Sequence, residues 1–267
     1  MDLFFSCDIE GVCGAAAWDQ LGPGTPELQA LCAQMTREVA AACRAAVQAG
    51  GERILVKDAH DSARNIDPSV LPEEVQINRG WAGDVYSMMS GIQHGDWDAA
   101  VFTGYHAAAC CDGNPLSHTM NTSVDYVEIN GVRASEFTLN AYMAGYHGVP
   151  VCFVSGDAAL CDSARRMIPD IATVPVNKGD GNSATSLHPA LAVKRIEETL
   201  RAQLESGAYR TCIVPMPPKF EIIIRYKEHR AAYRCSFYPG VEQVDEKTLR
   251  FTCVDYMDAM CLFQFVL

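Results

Sequence analysis

Short, wholly apolar runs recur along this chain, and they limit the folds that are open to it. The clearest of them occupy residues 3–5, 54–56, 99–102 and 151–154. A continuous apolar run of this length is typical of a strand that is covered on both faces. Segments with the apolar spacing of amphipathic helices lie between these runs. The sequence therefore predicts an α/β fold with a largely parallel sheet flanked by helices.

Helix boundary signals support this assignment. Thr25 is a predicted N-cap, and Pro26 takes the first helical position of a segment that stops at Gly50. A second helix is predicted to begin after Ser135, and a third to begin at Pro189. Each of these segments follows or precedes a predicted strand, as the crossover connections of a parallel sheet require.

Three other segments carry more specific expectations. Residues 85–92 are predicted to be helical, and residues 126–132 to form a β-hairpin around Asn130-Gly131. Residues 177–186 are polar and are predicted to form a flexible loop. A loop of that kind is suited to closing over a site, although most polar loops only connect elements.

The pattern of the chain changes after the prolines at 215–218. A smaller α+β unit is predicted there, with strands at 220–225 and 249–253 and helices at 228–235 and 255–267. We therefore expect two parts, an α/β catalytic domain over residues 1–210 and a C-terminal α+β unit over residues 211–267. The metal-ligand candidates described below all lie in the first part.

Composition excludes several classes of function. The 267-residue chain has a formal net charge of −12, which argues against a nucleic-acid or anionic-membrane binder. Its twelve cysteines are scattered through mostly apolar segments and form no CxxC pair. No apolar run reaches membrane length, and no signal-peptide pattern opens the chain. These features predict a reduced, cytoplasmic protein.

The first apolar run ends in two carboxylates, Asp8 and Glu10, and then a glycine. On an extended backbone, residues at this spacing point to the same side. Two like charges held so close repel each other, and a cation between them removes the conflict. Taken alone, the pair is better explained as a solvated strand end. The metal hypothesis needs further ligands from the rest of the chain.

Metal-competent side chains also follow the second and third apolar runs, at His60 and His106. The carboxyl ends of strands are where α/β sheets build their sites. Asp58 and Asp61 flank His60, and they either orient its ring or cap a turn. Glu136 lies in the first turn of a predicted helix, where it is either a ligand or a charge that complements the helix dipole, worth about 0.3–1 kcal/mol.

Together, Asp8, Glu10, His60, His106 and Glu136 offer three carboxylates and two imidazoles. Such a set suits two divalent ions about 3.5–4 Å apart with a bridging water. Zinc is the favoured metal, with manganese and cobalt as alternatives. Asp8 is the predicted bridging ligand.

The sequence resembles the D-aminopeptidase family of metallopeptidases over essentially its whole length. The matching motifs are Cys7-Asp8-Ile9-Glu10-Gly11, Asp58-Ala59-His60-Asp61-Ser62, Gly104-Tyr105-His106, Ser117-His118-Thr119-Met120, the run 136–150, and more weakly Tyr238-Pro239-Gly240-Val241-Glu242. The resemblance implies an aminopeptidase with two zinc ions per subunit, for short peptides with N-terminal D-residues such as D-Ala. It also implies a self-compartmentalising homodecamer of two stacked pentameric rings. Together with the five candidate ligands, the resemblance implies metal-assisted amide hydrolysis by a hydroxide that bridges the two metals.

The resemblance places the five candidates on the family's metal positions and His118 on its catalytic histidine. Without it, His118 is more simply a hydrogen-bonded loop histidine. Its expected role is to pass a proton to the leaving amine or to stabilise the oxyanion. The chain departs from the family pattern at 177–186 and 225–235, which are candidate substrate-contacting segments.

Two other functions remain open at this stage. One is a related dinuclear amidohydrolase that opens a cyclic amide or deacylates an amino acid. The other is an oligomeric metal- or peptide-binding protein without turnover. The six site candidates count against the second, because a binding protein has no use for an activated water. Trp18, a large aromatic residue in the Gly- and Ala-rich segment after Glu10, is either a pocket wall or a packed core residue.

Overall fold

A computed structural model describes all 267 residues. The twelve strands are β1 (Asp2–Cys7), β2 (Arg53–Asp58), β3 (Val75–Asn78), β4 (Ala99–Tyr105), β5 (Val124–Ile129), β6 (Val132–Arg133), β7 (Val151–Asp157), β8 (Ala172–Asp180), β9 (Ser183–Ser186), β10 (Phe220–Tyr226), β11 (Glu242–Gln243) and β12 (Thr248–Cys253). The six α-helices are α1 (Pro26–Gln48), α2 (Glu136–Tyr146), α3 (Ala158–Met167), α4 (Pro189–Glu205), α5 (His229–Cys235) and α6 (Tyr256–Val266).

The main sheet has seven strands in the order β3-β2-β1-β4-β7-β8-β9. All neighbours in it pair in parallel except β8 and β9, which form an antiparallel edge. The central strands β1, β4 and β7 are almost wholly buried, as their apolar sequences predict. The structure thus confirms the α/β fold class with a largely parallel sheet flanked by helices.

A second, antiparallel sheet has the order β11-β12-β10-β5-β6. Helix α6 contacts β10 and β12, and α5 contacts the same two strands, so this part has the predicted α+β character. Two strands of the sheet, β5 and β6, come from the chain before residue 210 and form the predicted hairpin. The division into residues 1–210 and 211–267 stays a prediction.

The predicted start of α1 is confirmed. The Thr25 side chain accepts a hydrogen bond from the backbone N–H of Leu28 at 3.1 Å, and Pro26 opens the helix. The helix stops at Gly50, whose φ of +86° is the left-handed conformation that glycine adopts without strain. The helix α2 begins after Ser135 in the same way, with the Ser135 hydroxyl accepting from the N–H of Thr138.

Two local predictions were wrong. Residues 85–92 form no α-helix but two short 3₁₀ turns, Ser87–Met89 and Ile92–His94, because Gly91 between them has a φ of +112°. Residues 177–186 are not a loop but the β8–β9 hairpin, with Asn177 paired to Ser186. Its two-residue turn is Gly181-Asn182, between the paired residues Asp180 and Ser183, so a Gly-Asn hairpin signal was present in the sequence.

One cluster of buried apolar side chains extends through both sheets. All twelve cysteines are free, and eight of them are buried, so they serve as small apolar core residues and not as a disulfide framework. None of the helices combines the length and the apolar character that a membrane span requires.

Glu38 is a fully buried carboxylate on α1 that holds the chain just after Glu10. Its Oε1 accepts hydrogen bonds from the Cys13 N–H at 3.0 Å and from the Gln34 amide at 2.7 Å, whereas Oε2 has no partner. Burial raises the pKa of Glu38 from 4.5 to about 7, although these two hydrogen bonds and Arg37 lower it. The protonated form is therefore favoured by folding.

A folded-state pKa above the unfolded value gives stability that is complete below pH 4.5 and is lost as the pH rises through about 7. Glu38→Gln mimics the protonated form and removes this loss. We expect the variant to gain about 3 kcal/mol of unfolding free energy relative to wild type between pH 5 and pH 8. Urea denaturation of both proteins at the two pH values measures the difference. A difference in unfolding free energy between the two proteins that does not change with pH would contradict the raised pKa of Glu38.

Candidate metal centre

The carboxyl ends of β1, β2 and β4 meet at one edge of the main sheet, and the chain crosses itself closely there. The Asp8 N–H donates to Thr103 O, and the Gly11 N–H donates to Gly104 O. A Cβ on Gly11 would lie 1.7 Å from Tyr105 O, and one on Gly104 would lie 2.1 Å from Asp8 O. Only glycine fits at these two crossing points. The two loops can therefore bring their side chains into one cluster.

Asp8 lies at the centre of that cluster and faces two histidines. Its Oδ1 is 3.4 Å from His60 Nδ1, and its Oδ2 is 3.5 Å from His106 Nε2. Glu10 Oε2 is 2.9 Å from His60 Nδ1, and Glu136 Oε2 is 3.3 Å from His106 Nε2. The structure thus brings together all five residues that the sequence singled out as metal ligands. Asp8 is the member that both histidines share.

Glu136 is positioned for both of the roles that the sequence left open. It is the first residue of α2, where a carboxylate complements the helix dipole. Its Oε1 accepts a hydrogen bond from the Met120 N–H at 2.7 Å, and its Oε2 remains directed at His106. The backbone contact fixes the carboxylate, so the second oxygen is held towards the cluster.

Several buried polar atoms in the cluster have no hydrogen-bond partner, namely Asp8 Oδ2, Glu10 Oε2 and His106 Nε2. His106 Nδ1 lies 3.0 Å from the Ala107 carbonyl oxygen, which favours the tautomer with the proton on Nδ1. The lone pair of Nε2 then faces carboxylate oxygens. Such an arrangement is unfavourable when bare and favourable around a cation. The donor set therefore fits divalent metal ions with oxygen and nitrogen ligands.

The charges of the cluster favour a bound positive charge of any kind. Burial would lower the pKa of His60, but Glu10 and Asp8 raise it to about 11. Burial would also lower the pKa of His106, but Glu136, followed by Asp8 and Glu10, raises it to about 10. Burial and the neighbouring Glu10 raise the pKa of Asp8 well above its usual range. Metal ions compete with these protons for the same site.

His118 lies beside the cluster on the loop that follows β4. Its Nε2 is 3.3 Å from Glu136 Oε1 and 4.0 Å from Glu10 Oε1. Its Nδ1 is 2.9 Å from the Leu116 carbonyl oxygen, and its ring stacks on His106 at 4.3 Å between centroids. The structure thus presents Nε2 to the cluster. From this position it can serve either as a further ligand or as a proton carrier.

A cavity of about 660 Å³ opens over the cluster. Asp8, Glu10, His60, His118 and Glu136 line it, together with Trp18, Trp81, Met88 and Met120 among its less polar walls. Trp18 is 44 % exposed and packs edge-on against His118 at 5.2 Å, so it is a pocket wall and not a core residue. The segments 177–186 and 225–235 do not line this cavity.

Asp58 and Asp61 do not orient the His60 ring. The Asp58 carboxylate accepts hydrogen bonds from the backbone N–H groups of Asn65 and Ile66, so it organises the loop that carries His60. Asp61 lines the cavity, and its carbonyl oxygen accepts a hydrogen bond from the Trp81 indole at 2.6 Å. Of the two earlier alternatives for Asp58, the turn-capping one is correct.

Sequence reasoning missed two residues that support the site. The Asn114 amide donates to the Glu10 carbonyl oxygen at 3.0 Å and to Asp157 Oδ2 at 3.2 Å. The same Asp157 oxygen accepts from the N–H of Ala107 at 2.7 Å, next to His106. These contacts join β1, β4 and β7 beneath the cluster. The only sequence signal was the position of Asp157 at the end of an apolar strand.

Known proteins resemble this chain in both sequence and fold. A sequence model of the D-aminopeptidase family matches residues 1–265. A D-aminopeptidase of Bacillus subtilis (strain 168) is 30 % identical over 263 residues, which is 97 % of this chain and 94 % of that protein. The chain is also similar to the solved structure of the Zn-dependent D-aminopeptidase DppA from Bacillus subtilis, a self-compartmentalizing protease. The TM-score is 0.90 and the identity 27 %, over 100 % of this chain and 96 % of that one. The chain belongs to the D-aminopeptidase family.

Proposed function

We propose that this protein is a zinc-dependent aminopeptidase that hydrolyses short peptides with an N-terminal D-amino acid such as D-Ala. The observation that carries the proposal is the buried cluster of three carboxylates and two imidazoles at the sheet edge. Family membership supports the reaction, because similar proteins are D-aminopeptidases and one of them is Zn-dependent.

Two zinc ions would be shared among the five side chains. Asp8, Glu10 and His60 would hold one ion. Asp8, His106 and Glu136 would hold the other, and His118 also lies close enough to His106 and Glu136 to join this second group. One carboxylate oxygen of Asp8 faces His60 and the other faces His106, which supports a bridging role for Asp8. Imidazole and carboxylate ligands suit zinc and also accept manganese or cobalt.

Bound zinc would supply Lewis acidity, which lowers the pKa of a coordinated water from about 15.7 towards about 7 and so makes it a nucleophile at neutral pH. The protein's own residues supply orientation and proton transfer. Asp84, a cavity carboxylate outside the proposed ligand set, favours the ammonium group at the amino end of a substrate. His118 Nε2 is accessible from the cavity, where it can donate a proton to the leaving amine or a hydrogen bond to the oxyanion.

We propose that the chain works as a homo-oligomer, a decamer by its similarity to a self-compartmentalizing relative. Large apolar side chains are exposed in the C-terminal part, with Phe237 at 71 %, Val254 at 75 % and Phe265 at 72 %. Exposed apolar surface of this kind is typical of subunit contacts.

The free cysteines suit a reducing compartment, and we propose a cytoplasmic location. The partners are short peptides, and the net charge of −12 disfavours nucleic acid and anionic membranes.

A substrate panel tests the proposed reaction. The zinc-loaded protein should hydrolyse D-Ala-D-Ala, hydrolyse L-Ala-L-Ala at least ~10-fold more slowly, and leave a cyclic imide intact. A chelator should stop the reaction, and zinc or manganese should restore it. The measurement is the release of free amine for each substrate under each metal condition. Hydrolysis of the cyclic imide alone would identify the related amidohydrolase instead.

A further inference from the structure

A lysine is buried near the cavity without a carboxylate partner. Lys57, near the end of β2, is fully buried, and its Nζ donates to the Gly80 carbonyl oxygen and lies 3.5 Å from Asn78 Oδ1. No carboxylate oxygen contacts its Nζ as an ion pair, although the charges of Asp58 and Asp84 act on it from a greater distance. Burying an ammonium group without a counter-charge is costly, so its other contacts must compensate.

One such contact, besides the hydrogen bond to Gly80, is with Trp81. The Lys57 ammonium lies 4.6 Å from the centroid of the Trp81 ring, a cation–π geometry. The indole N–H of the same ring donates to the Asp61 carbonyl oxygen at 2.6 Å. An indole that is 44 % exposed would otherwise be free to change rotamer. Here the Lys57 ammonium holds the face of the ring, and the hydrogen bond to the Asp61 carbonyl oxygen holds its edge.

The fixed ring lines the same cavity as Asp8, Glu10 and His60. Trp18, Leu21 and other apolar side chains also line this cavity, together with Asp61 and Asp84, whereas no Lys or Arg side chain lines it. A substrate whose ammonium faces the carboxylates would therefore meet an aromatic wall and no group that attracts an acidic side chain. A rigid aromatic surface loses little conformational entropy when it binds an apolar group.

We propose that Trp81, positioned by Lys57, determines specificity and selects peptides whose residue at the cleaved bond carries an aromatic or large aliphatic side chain. This inference rests on the proposed function and extends its substrate class beyond D-Ala. Trp81 contacts the substrate side chain, and Lys57 acts only through Trp81.

The test compares kcat/KM for D-phenylalaninamide and D-alaninamide, using the zinc-loaded full chain. A general loss of folded enzyme lowers both kcat/KM values by the same factor. The ratio of the two values therefore reports only how the cavity wall discriminates between the two side chains. In Trp81→Ala the ratio should fall by about 10-fold or more, because the larger side chain loses more contact with the ring than the methyl group of D-alaninamide does. Lys57→Met should lower the ratio by a smaller factor, and Lys57→Arg should restore most of it because the cation returns.

Arg53→Met is the matched control, since Arg53 lies 4.4 Å over the ring of Trp97, a tryptophan that does not line this cavity. It should leave the ratio unchanged. An unchanged ratio in Trp81→Ala would overturn the inference, as would a wild-type enzyme that cleaves D-alaninamide but not D-phenylalaninamide. If the zinc-loaded wild type cleaves neither amide nor any D-dipeptide, the proposed function itself fails, and the inference fails with it.

Discussion

The Asp8→Asn variant is expected to retain at most one zinc ion per chain and to lose about 10³-fold or more in kcat/KM for D-Ala-D-Ala. The reason is the position of Asp8 between the two histidines, with one oxygen 3.4 Å from His60 and the other 3.5 Å from His106. Asparagine keeps the size of the side chain but leaves one neutral oxygen, which cannot bridge two cations. Elemental analysis and steady-state kinetics measure the two effects.

The variant should still fold. Asp8 is buried against two other carboxylates, so the neutral amide relieves repulsion in the metal-free protein. The thermal midpoint in the presence of chelator should therefore not fall below that of wild type. Asp61→Asn is the matched control, because Asp61 lines the same cavity and asparagine tolerates its φ of +41°. Two zinc ions per chain in Asp8→Asn would contradict the bridging role.

The second large effect is expected in His118→Ala. This variant should keep its zinc content near that of wild type, while kcat falls by about 10²-fold or more. His118 is not needed as a ligand if the other five residues complete the centre, and its Nε2 reaches the cavity from the side of Glu136. The loss should fall mainly on kcat, since a proton donor acts in the transition state.

His94→Ala provides the comparison, because His94 is exposed and lies outside the cavity. It should leave both zinc content and kcat unchanged. The distance of 3.3 Å between His118 Nε2 and Glu136 Oε1 also permits metal binding. Loss of zinc in His118→Ala would therefore assign His118 as a ligand, whereas full activity would remove it from the mechanism.

The strands of the sheet and the grouping of the candidate metal ligands could be predicted, because both depend on local sequence. Apolar runs marked β1, β2, β4 and β7, and residues that follow parallel strands must meet at one edge of the sheet. That rule was enough to group Asp8, His60 and His106 before any distance was known. Glu136 was harder, since a first-turn glutamate has a sufficient local explanation in the helix dipole.

The walls of the cavity could not be predicted in the same way. Trp81 takes its place through Lys57 and Asp61, and these contacts join residues about twenty positions apart through irregular backbone. Periodicity gives no information on such segments. The two wrong local assignments have a related cause. In 85–92 a left-handed Gly91 outweighed helical spacing. In 177–186 polar side chains concealed a hairpin whose two strands are only partly buried.

The proposed dinuclear zinc centre is tested most directly by adding zinc to metal-free protein while measuring hydrolysis of D-Ala-D-Ala. Bound zinc is counted at each step by elemental analysis. The five-ligand cluster predicts that activity rises until two zinc ions are bound per chain and then stays constant. Full activity in protein that holds no divalent metal, or activity that is complete at one zinc ion per chain, would contradict the two-metal centre.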